Sequence, residues 1–174
     1  MGEVKIPRPA LLFCGLLLGD NIEEKLVIGE LEKHFGDVIL KSQVFPFNHT
    51  DYYYEEMGSN IRRMFVGFNK TIEMERIVDI KLLTNKVELE NFSSEGRRKV
   101  NIDPGYINLS KVVLATTKDY QHRIYLGCGI YAEVTLRYKK GTFAPWEWTY
   151  PDYREKASIE FFNRLRENYK KLTA

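Results

Sequence analysis

Nine consecutive residues, Ala10–Leu18 (ALLFCGLLL), carry no charged side chain and no polar one beyond a single thiol. Pro7 and Pro9 precede the run and Gly19–Asp20 close it. It is too short to cross a bilayer as a helix and has no alternating polar face, so it reads as a fully buried strand. Only a packed domain can bury such a strand, and 174 residues at 44% hydrophobic suffice for one domain with one continuous core. A secretory signal would be a competing use of an apolar run that follows Lys5 and Arg8. Glu3, the two prolines and the lack of a small-residue cleavage site before Asp20 speak against it.

The segments that follow alternate in period. Ile22, Leu26, Val27, Leu31 and Phe35 recur at helical spacing, with Asp20 and Glu23 placed as a capping box and Gly36 as the stop. Residues 37–45 read as a strand, and 61–68 as another with Met64, Val66 and Phe68 on one face. A helix over about 72–90 and a strand over 99–102 complete the order β-α-β-β-α-β, the split βαβ of ferredoxin-like domains. Beyond it, Leu109, Val112, Val113 and Thr116, capped by Asn108, predict a short helix over 109–117. A hairpin follows, with arms 122–126 and 130–138 around Gly127–Cys128–Gly129. A strand over 142–150 leads to a last helix over about 153–172, with Phe161, Phe162, Leu165, Tyr169 and Leu172 on one side. The whole reads as one α+β domain, residues 1–174.

Composition narrows the partners. With 26 basic and 24 acidic residues the net charge is +2, which leaves no polybasic or acidic tail. Residues 101–174 hold 12 basic and 8 acidic side chains, a mild lean towards an anionic partner. Cys14 and Cys128 lie far apart without zinc-ligand spacing, so no metal site is expected, and a reduced cytoplasmic protein is the simplest reading.

Chemistry-bearing side chains concentrate between Asp103 and Asp152. A three-residue hairpin loop pairs residue i with residue 256 − i. That sets Arg123 opposite Glu133 and Tyr125 opposite Tyr131 on one face, with Arg137 further along, and His122 opposite Val134 on the apolar face. The first face would suit a phosphate or carboxylate ligand, and equally reads as a solvated sheet face with a cross-strand ion pair. Asp103–Pro104–Gly105–Tyr106 has the order of a type II turn, in which Asp103 would either only start the turn or be held rigidly as a general base or magnesium ligand, with Lys118 and Asp119 following. Asp103, His122 and Glu133 are the acid/base candidates. Tyr106, Lys118, Arg123, Tyr125, Tyr131, Arg137, Trp148, Tyr150 and Asp152 are the ligand-binding candidates. Trp146 and Trp148 share strand parity and would either close a core or stack on a base. Asp152 with Glu155 also reads as a capping box. Of Tyr52, Tyr53 and Tyr54, at least one must be exposed or line a cleft. His34 and His49 lack partners at ligand spacing.

The segments NIDPGYINLSKVVLATTKDYQHRIYLGCGIYAEVTLRY, PWEWTYPDY and FPFNHTDYYYEEMG resemble domain-of-unknown-function family 4416 of bacteria and archaea. The resemblance spans essentially the whole chain and implies an identity without a mechanism. Some members carry a GTP-binding label. A classical GTPase needs a Gly-rich phosphate loop ending in Lys-Ser/Thr, which is absent here, and Thr84–Asn85–Lys86 falls inside a helical pattern.

The expectation is a protein that binds, or binds and acts on, an anionic small molecule such as a nucleotide or phosphorylated metabolite, its cofactor unknown. The alternatives are a partner-binding or structural module and, with no RNP-like motif or basic stripe in its favour, a single-stranded RNA-binding domain. No membrane partner is expected, and the oligomeric state stays open.

Overall fold

A computed structural model describes residues 2–174. Along the chain run β1 (Ala10–Leu18), α1 (Glu24–Phe35), β2 (Val38–Lys41), β3 (Phe45–Pro46), α2 (Tyr54–Met57), β4 (Arg62–Ile72) and, after a 3₁₀ turn, α3 (Ile77–Asn91). They continue with β5 (Ser93–Ser94), β6 (Arg97–Arg98), β7 (Val100–Ile107), β8 (Lys111–Thr116), β9 (Ile124–Gly127), β10 (Ile130–Lys139), β11 (Thr142–Pro145), α4 (Pro151–Arg154) and α5 (Lys156–Leu172). The fold class is α+β. One large antiparallel sheet has the order β11-β10-β8-β7-β1-β4-β2, with β3 attached to β4 and β9 to β10. No helix among the described residues is long and apolar enough to cross a membrane.

The apolar run forms β1, buried along its whole length between β4 and β7. Its side chains alternate between two cores, because successive residues of a strand point to opposite faces. Leu12, Cys14, Leu16 and Leu18 pack with Val27, Leu31 and Phe35 of α1 and with Ile77, Ile80 and Val87 of α3. Leu11 and Phe13 pack with Phe161, Phe162, Leu165 and Tyr169 of α5. Each such side chain contributes roughly 1.5–3 kcal/mol by leaving water. Cys14 and Cys128 are free thiols. Burial pushes the Cys14 pKa far up, so it stays a protonated core group, whereas Cys128 is exposed.

Several expected elements are corrected. Residues 109–117 form no helix: Lys111–Thr116 is β8, set between β7 and β10. Val112–Ala115 are buried on both faces, and a short run buried all round satisfies helical spacing as readily as strand spacing. Asn108 does cap, but it caps the turn into β8, accepting from Ser110 N and Lys111 N at 2.9 and 3.0 Å. The strand after Lys140–Gly141 stops at Pro145, and the last helix breaks at Glu155 (φ −56°, ψ 144°). Leu172 is 48% exposed, outside the core face assigned to it.

The capping boxes are absent as well. Neither Glu23 nor Glu155 makes a side-chain cap, and Asp20 accepts instead from Asn60 N. The hairpin turns on Cys128–Gly129, both at positive φ (51° and 76°), as a two-residue turn of the I′ kind requires. Ile130 therefore faces Gly127 rather than Leu126. A bulge after Ile130 restores Tyr125 opposite Tyr131 and Ile124 opposite Ala132.

The fourth expected strand is longer than its pattern suggested, and Asp103–Pro104–Gly105–Tyr106 lies inside it as β7, not in a type II turn. β7 pairs with β1 over Val100–Ile107 but with β8 only over Gly105–Ile107. At Gly105 the two strands press together: a Cβ there would run into the Val113 carbonyl oxygen and lie 2.5 Å from Cζ of Phe13. Upstream the strands part, and Pro104 tolerates that edge because it has no N–H to leave unpaired. Ile102, two residues earlier and on the same edge, is served by side chains instead of a strand. Its N–H donates to Glu88 Oε1 at 2.6 Å, and its carbonyl accepts from Lys81 Nζ at 3.0 Å. Lys81 and Glu88, seven residues apart on α3, thus take the place of a missing strand neighbour. This accounts for two charged side chains only 5% and 2% exposed.

Candidate functional site

A cavity of about 680 Å3 opens where β7 and β8 part. Because the sheet is split there, residues from both faces reach it. Lys81, Asn85 and Glu88 come from α3, Arg63 from β4, and Asp152 and Tyr153 from α4. Its rim is formed by His49, Thr50, Tyr52 and Tyr53 on one side and Thr116, Lys118, Arg123 and Tyr150 on the other.

At the closed end Arg63 lies over Gly15 of β1, where a Cβ would come within 3.1 Å of its Nη1 and 2.7 Å of the Tyr153 hydroxyl. The glycine inside the apolar run therefore makes the room for this end of the cavity. Arg63 Nε stands 2.7 Å from Asp152 Oδ2 and Nη1 stands 3.6 Å from Asp103 Oδ2. These are ion-pair separations that lack hydrogen-bond alignment, so among the described residues Nε and Nη1 remain buried without acceptors, and so does the Tyr153 hydroxyl. Burial opposes the Arg63 charge, but Asp152, Tyr153 and Asp103 outweigh it and hold the pKa above its ordinary value. Burial drives the Tyr153 phenol pKa well up, so it stays a neutral donor. Asp103 is the open carboxylate of this group: Lys81 Nζ is 3.6 Å away and Asn101 Nδ2 donates to it at 2.8 Å.

The side walls are internally satisfied. Arg98 donates to Glu88 at 3.0 Å and to Glu56 at 2.9 Å. Burial raises the Glu88 pKa against the pull of Lys81, the Ile102 N–H and Arg98. Opposite, Arg123 donates through Nε to Glu133 at 2.9 Å, through Nη1 to the Lys118 carbonyl at 3.0 Å and through Nη2 to the Tyr150 hydroxyl at 2.7 Å. It ties the 118–123 loop to β10.

Of the residues singled out in the sequence, Asp103, Lys118, Arg123, Glu133, Tyr150 and Asp152 meet at this cavity. His122 does not lie on an apolar hairpin face opposite Val134. β9 begins only at Ile124, and His122 turns its Nε2 to Glu133 Oε2 at 2.9 Å. Because a carboxylate accepts, this contact selects the tautomer with hydrogen on Nε2. His122 and Trp148 lie in an adjoining groove that shares Lys118, Arg123 and Tyr150 with the cavity. Trp146 and Trp148 sit on a turn rather than a strand. Trp148 stacks on Trp146 at 5.0 Å and on His122 at 5.4 Å, so neighbouring rings, not a ligand, occupy its stacking positions. Arg137 covers Trp146 at 3.9 Å. Tyr125 and Tyr131 pair with each other on the hairpin, and Tyr106 packs on the α1/α3 core; neither these three tyrosines nor Arg137 line the cavity. Asp119 lies in the groove rather than beside Asp103.

Sequence reasoning missed Arg63, Lys81, Glu88, Arg98 and Tyr153. One signal was available for the first: Arg63, beside Arg62, borders the uncharged stretch Met64–Phe68 and lies close in sequence to the tyrosine cluster and its acidic neighbours Asp51 and Glu56. No group of three or more His, Cys, Asp or Glu side chains is placed to hold a metal ion among the described residues.

The molecule is thus an α+β protein whose split sheet exposes a buried charge network to a cavity. Residues 8–169 match the family described as Domain of unknown function (DUF4416), and the chain belongs to that family. No curated protein and no solved structure matches it.

Proposed function

We propose that this protein binds an anionic small molecule, such as a nucleotide or phosphorylated metabolite, in the cavity between β7 and β8. One observation carries the reading: Arg63 Nη1 and the Tyr153 hydroxyl are buried donors without acceptors among the described residues, at its closed end. A buried polar group without a partner costs about 1–3 kcal/mol, and a ligand oxygen removes that cost. Asp103, facing the same space, is the group placed to exchange a proton with such a ligand.

Phenylalanine at Tyr153 tests the reading, because it removes the orphaned hydroxyl and little else. The ligand-free variant is expected to be more stable than wild type by about 1 kcal/mol, a rise in Tm of roughly 2–4 °C. Its affinity for anionic metabolites is expected to fall several-fold in a thermal-shift or calorimetric screen. A variant that loses stability yet binds anions as well as wild type would overturn the assignment.

A second reading rests on β9, where Ile124, Tyr125 and Leu126 are 71%, 59% and 41% exposed on an edge strand that, among the described residues, pairs only with β10. Such an edge suits a protein partner. Light scattering of the wild type beside an Ile124→Lys variant tests self-association, which the substitution should abolish if this edge mediates it.

A further inference from the structure

Resting on the anion-binding reading and sharpening it, we infer that the ligand is acidic at both ends. One anionic group meets Arg63 and Tyr153 at the closed end, and a second meets Lys118 at the mouth.

Arg98 and Arg123 direct their guanidinium groups to Glu88, Glu56, Glu133 and other protein acceptors. Lys81 is held by the Ile102 carbonyl. Lys118 differs. Its backbone is pinned at both polar atoms, by Thr116 Oγ1 at 3.2 Å and by Arg123 Nη1 at 3.0 Å. Its ammonium has no carboxylate within ion-pair distance among the described residues and rests 4.2 Å from the centre of the Tyr52 ring. The cation is therefore placed by its main chain and left without a counter-charge at the cavity rim.

Spacing supports two poles rather than one. In the sheet, β1 and β7 lie between β4, which carries Arg63, and β8, which leads to Lys118. The Arg63 head group already crosses β1 towards Asp103 of β7. One to two strand spacings, about 5–10 Å, then remain to β8. A single inorganic anion cannot span that gap, and it would leave most of a 680 Å3 cavity empty. The cavity is also lined by Tyr53, whose hydroxyl has no protein hydrogen bond among the described residues, and by Tyr150, whose hydroxyl accepts from Arg123 and still has a hydrogen to donate. These neutral donors suit an oxygen-rich middle. The ligand class is a small polyhydroxylated or ester-linked molecule with a phosphate or carboxylate at each end.

Calorimetric titration of the 174-residue chain at constant ionic strength tests this with fructose 1,6-bisphosphate, fructose 6-phosphate and inorganic phosphate. The bisphosphate is expected to bind at least tenfold more tightly than the monophosphate. Lys118→Met should weaken bisphosphate binding at least tenfold more than monophosphate binding and so remove that advantage, and Lys118→Arg should retain it. Lys171→Met, outside the cavity, should change nothing. Equal affinity of wild type for the two sugars, or equal weakening of both by Lys118→Met, overturns the two-ended ligand and leaves the anion site standing. Failure of all three probes to bind, or binding indifferent to Tyr153→Phe, overturns the anion site itself and this inference with it.

Discussion

Methionine in place of Arg63 is expected to destabilise the protein by about 3–5 kcal/mol and to lower Tm by of the order of 10 °C. Arg63 is 4% exposed, and the carboxylate it faces, Asp152, is 2% exposed. Removing the cation leaves that carboxylate buried without a counter-charge, and the cost of an unpaired buried ion exceeds the benefit of an apolar replacement. The loss should shrink in the Arg63→Met/Asp152→Leu double variant, where both charges are gone, and thermal unfolding of the set measures the coupling directly. If Arg63→Met unfolds within about 1 kcal/mol of wild type, the pair is not the electrostatic anchor of the closed end. The remaining cavity charges would keep the double variant folded but unable to bind an anion.

Alanine at Gly105 should be comparably damaging for a steric reason. The new methyl would overlap the Val113 carbonyl of β8, which is backbone, and the tip of Phe13 behind it. Neither gives way cheaply, so β7 and β8 must separate along Gly105–Ile107, the three pairs that close the lower end of the split. Overpacking of this kind costs about 1–3 kcal/mol, and a backbone obstacle places this site at or beyond the upper end. Chemical denaturation should show a lower midpoint with an unchanged m-value. Protection of the amides of Val112–Leu114 against hydrogen exchange should fall before that of β1. A wild-type midpoint would mean that the strands do not approach as closely as this geometry requires.

Much of the architecture was legible because it rests on local periodicity. The apolar run had to be covered on both faces, α1 and α5 announced themselves by their spacing, and the tyrosine cluster at 52–54 does contribute to a cleft. The errors share one physical origin. β8 is buried on both faces, and such a segment leaves no polar stripe from which to choose between a strand and a helix. The Asp103–Gly105 sequence satisfies a turn, but its proline is tolerated because a neighbouring strand is missing and its glycine is required because another strand is near. Both conditions lie outside the local sequence.

The candidate site divides in the same way. Asp103, Lys118, Arg123, Glu133, Tyr150 and Asp152 were visible as a density of charged and aromatic residues in one stretch of chain, and all six meet at the cavity. Arg63 and Lys81 were not picked out, since Arg63 reads with Arg62 as an ordinary charge at the start of a strand and Lys81 as an ordinary charge on a helix. Their role arises from contacts 40 and 22 residues away in sequence, with Asp103. By itself the sequence determined the α+β class and the buried central strand, because those follow from the pattern of apolar side chains along the chain, and it marked the segment that supplies one wall of the cavity. Only the tertiary structure decided that the sheet splits beside β7, that Lys81 and Glu88 stand in for a strand, and that Arg63 and Tyr153 carry donors buried without acceptors among the described residues. Hydrogen-bond satisfaction depends on which strands become neighbours, and that is settled by packing rather than by local propensity.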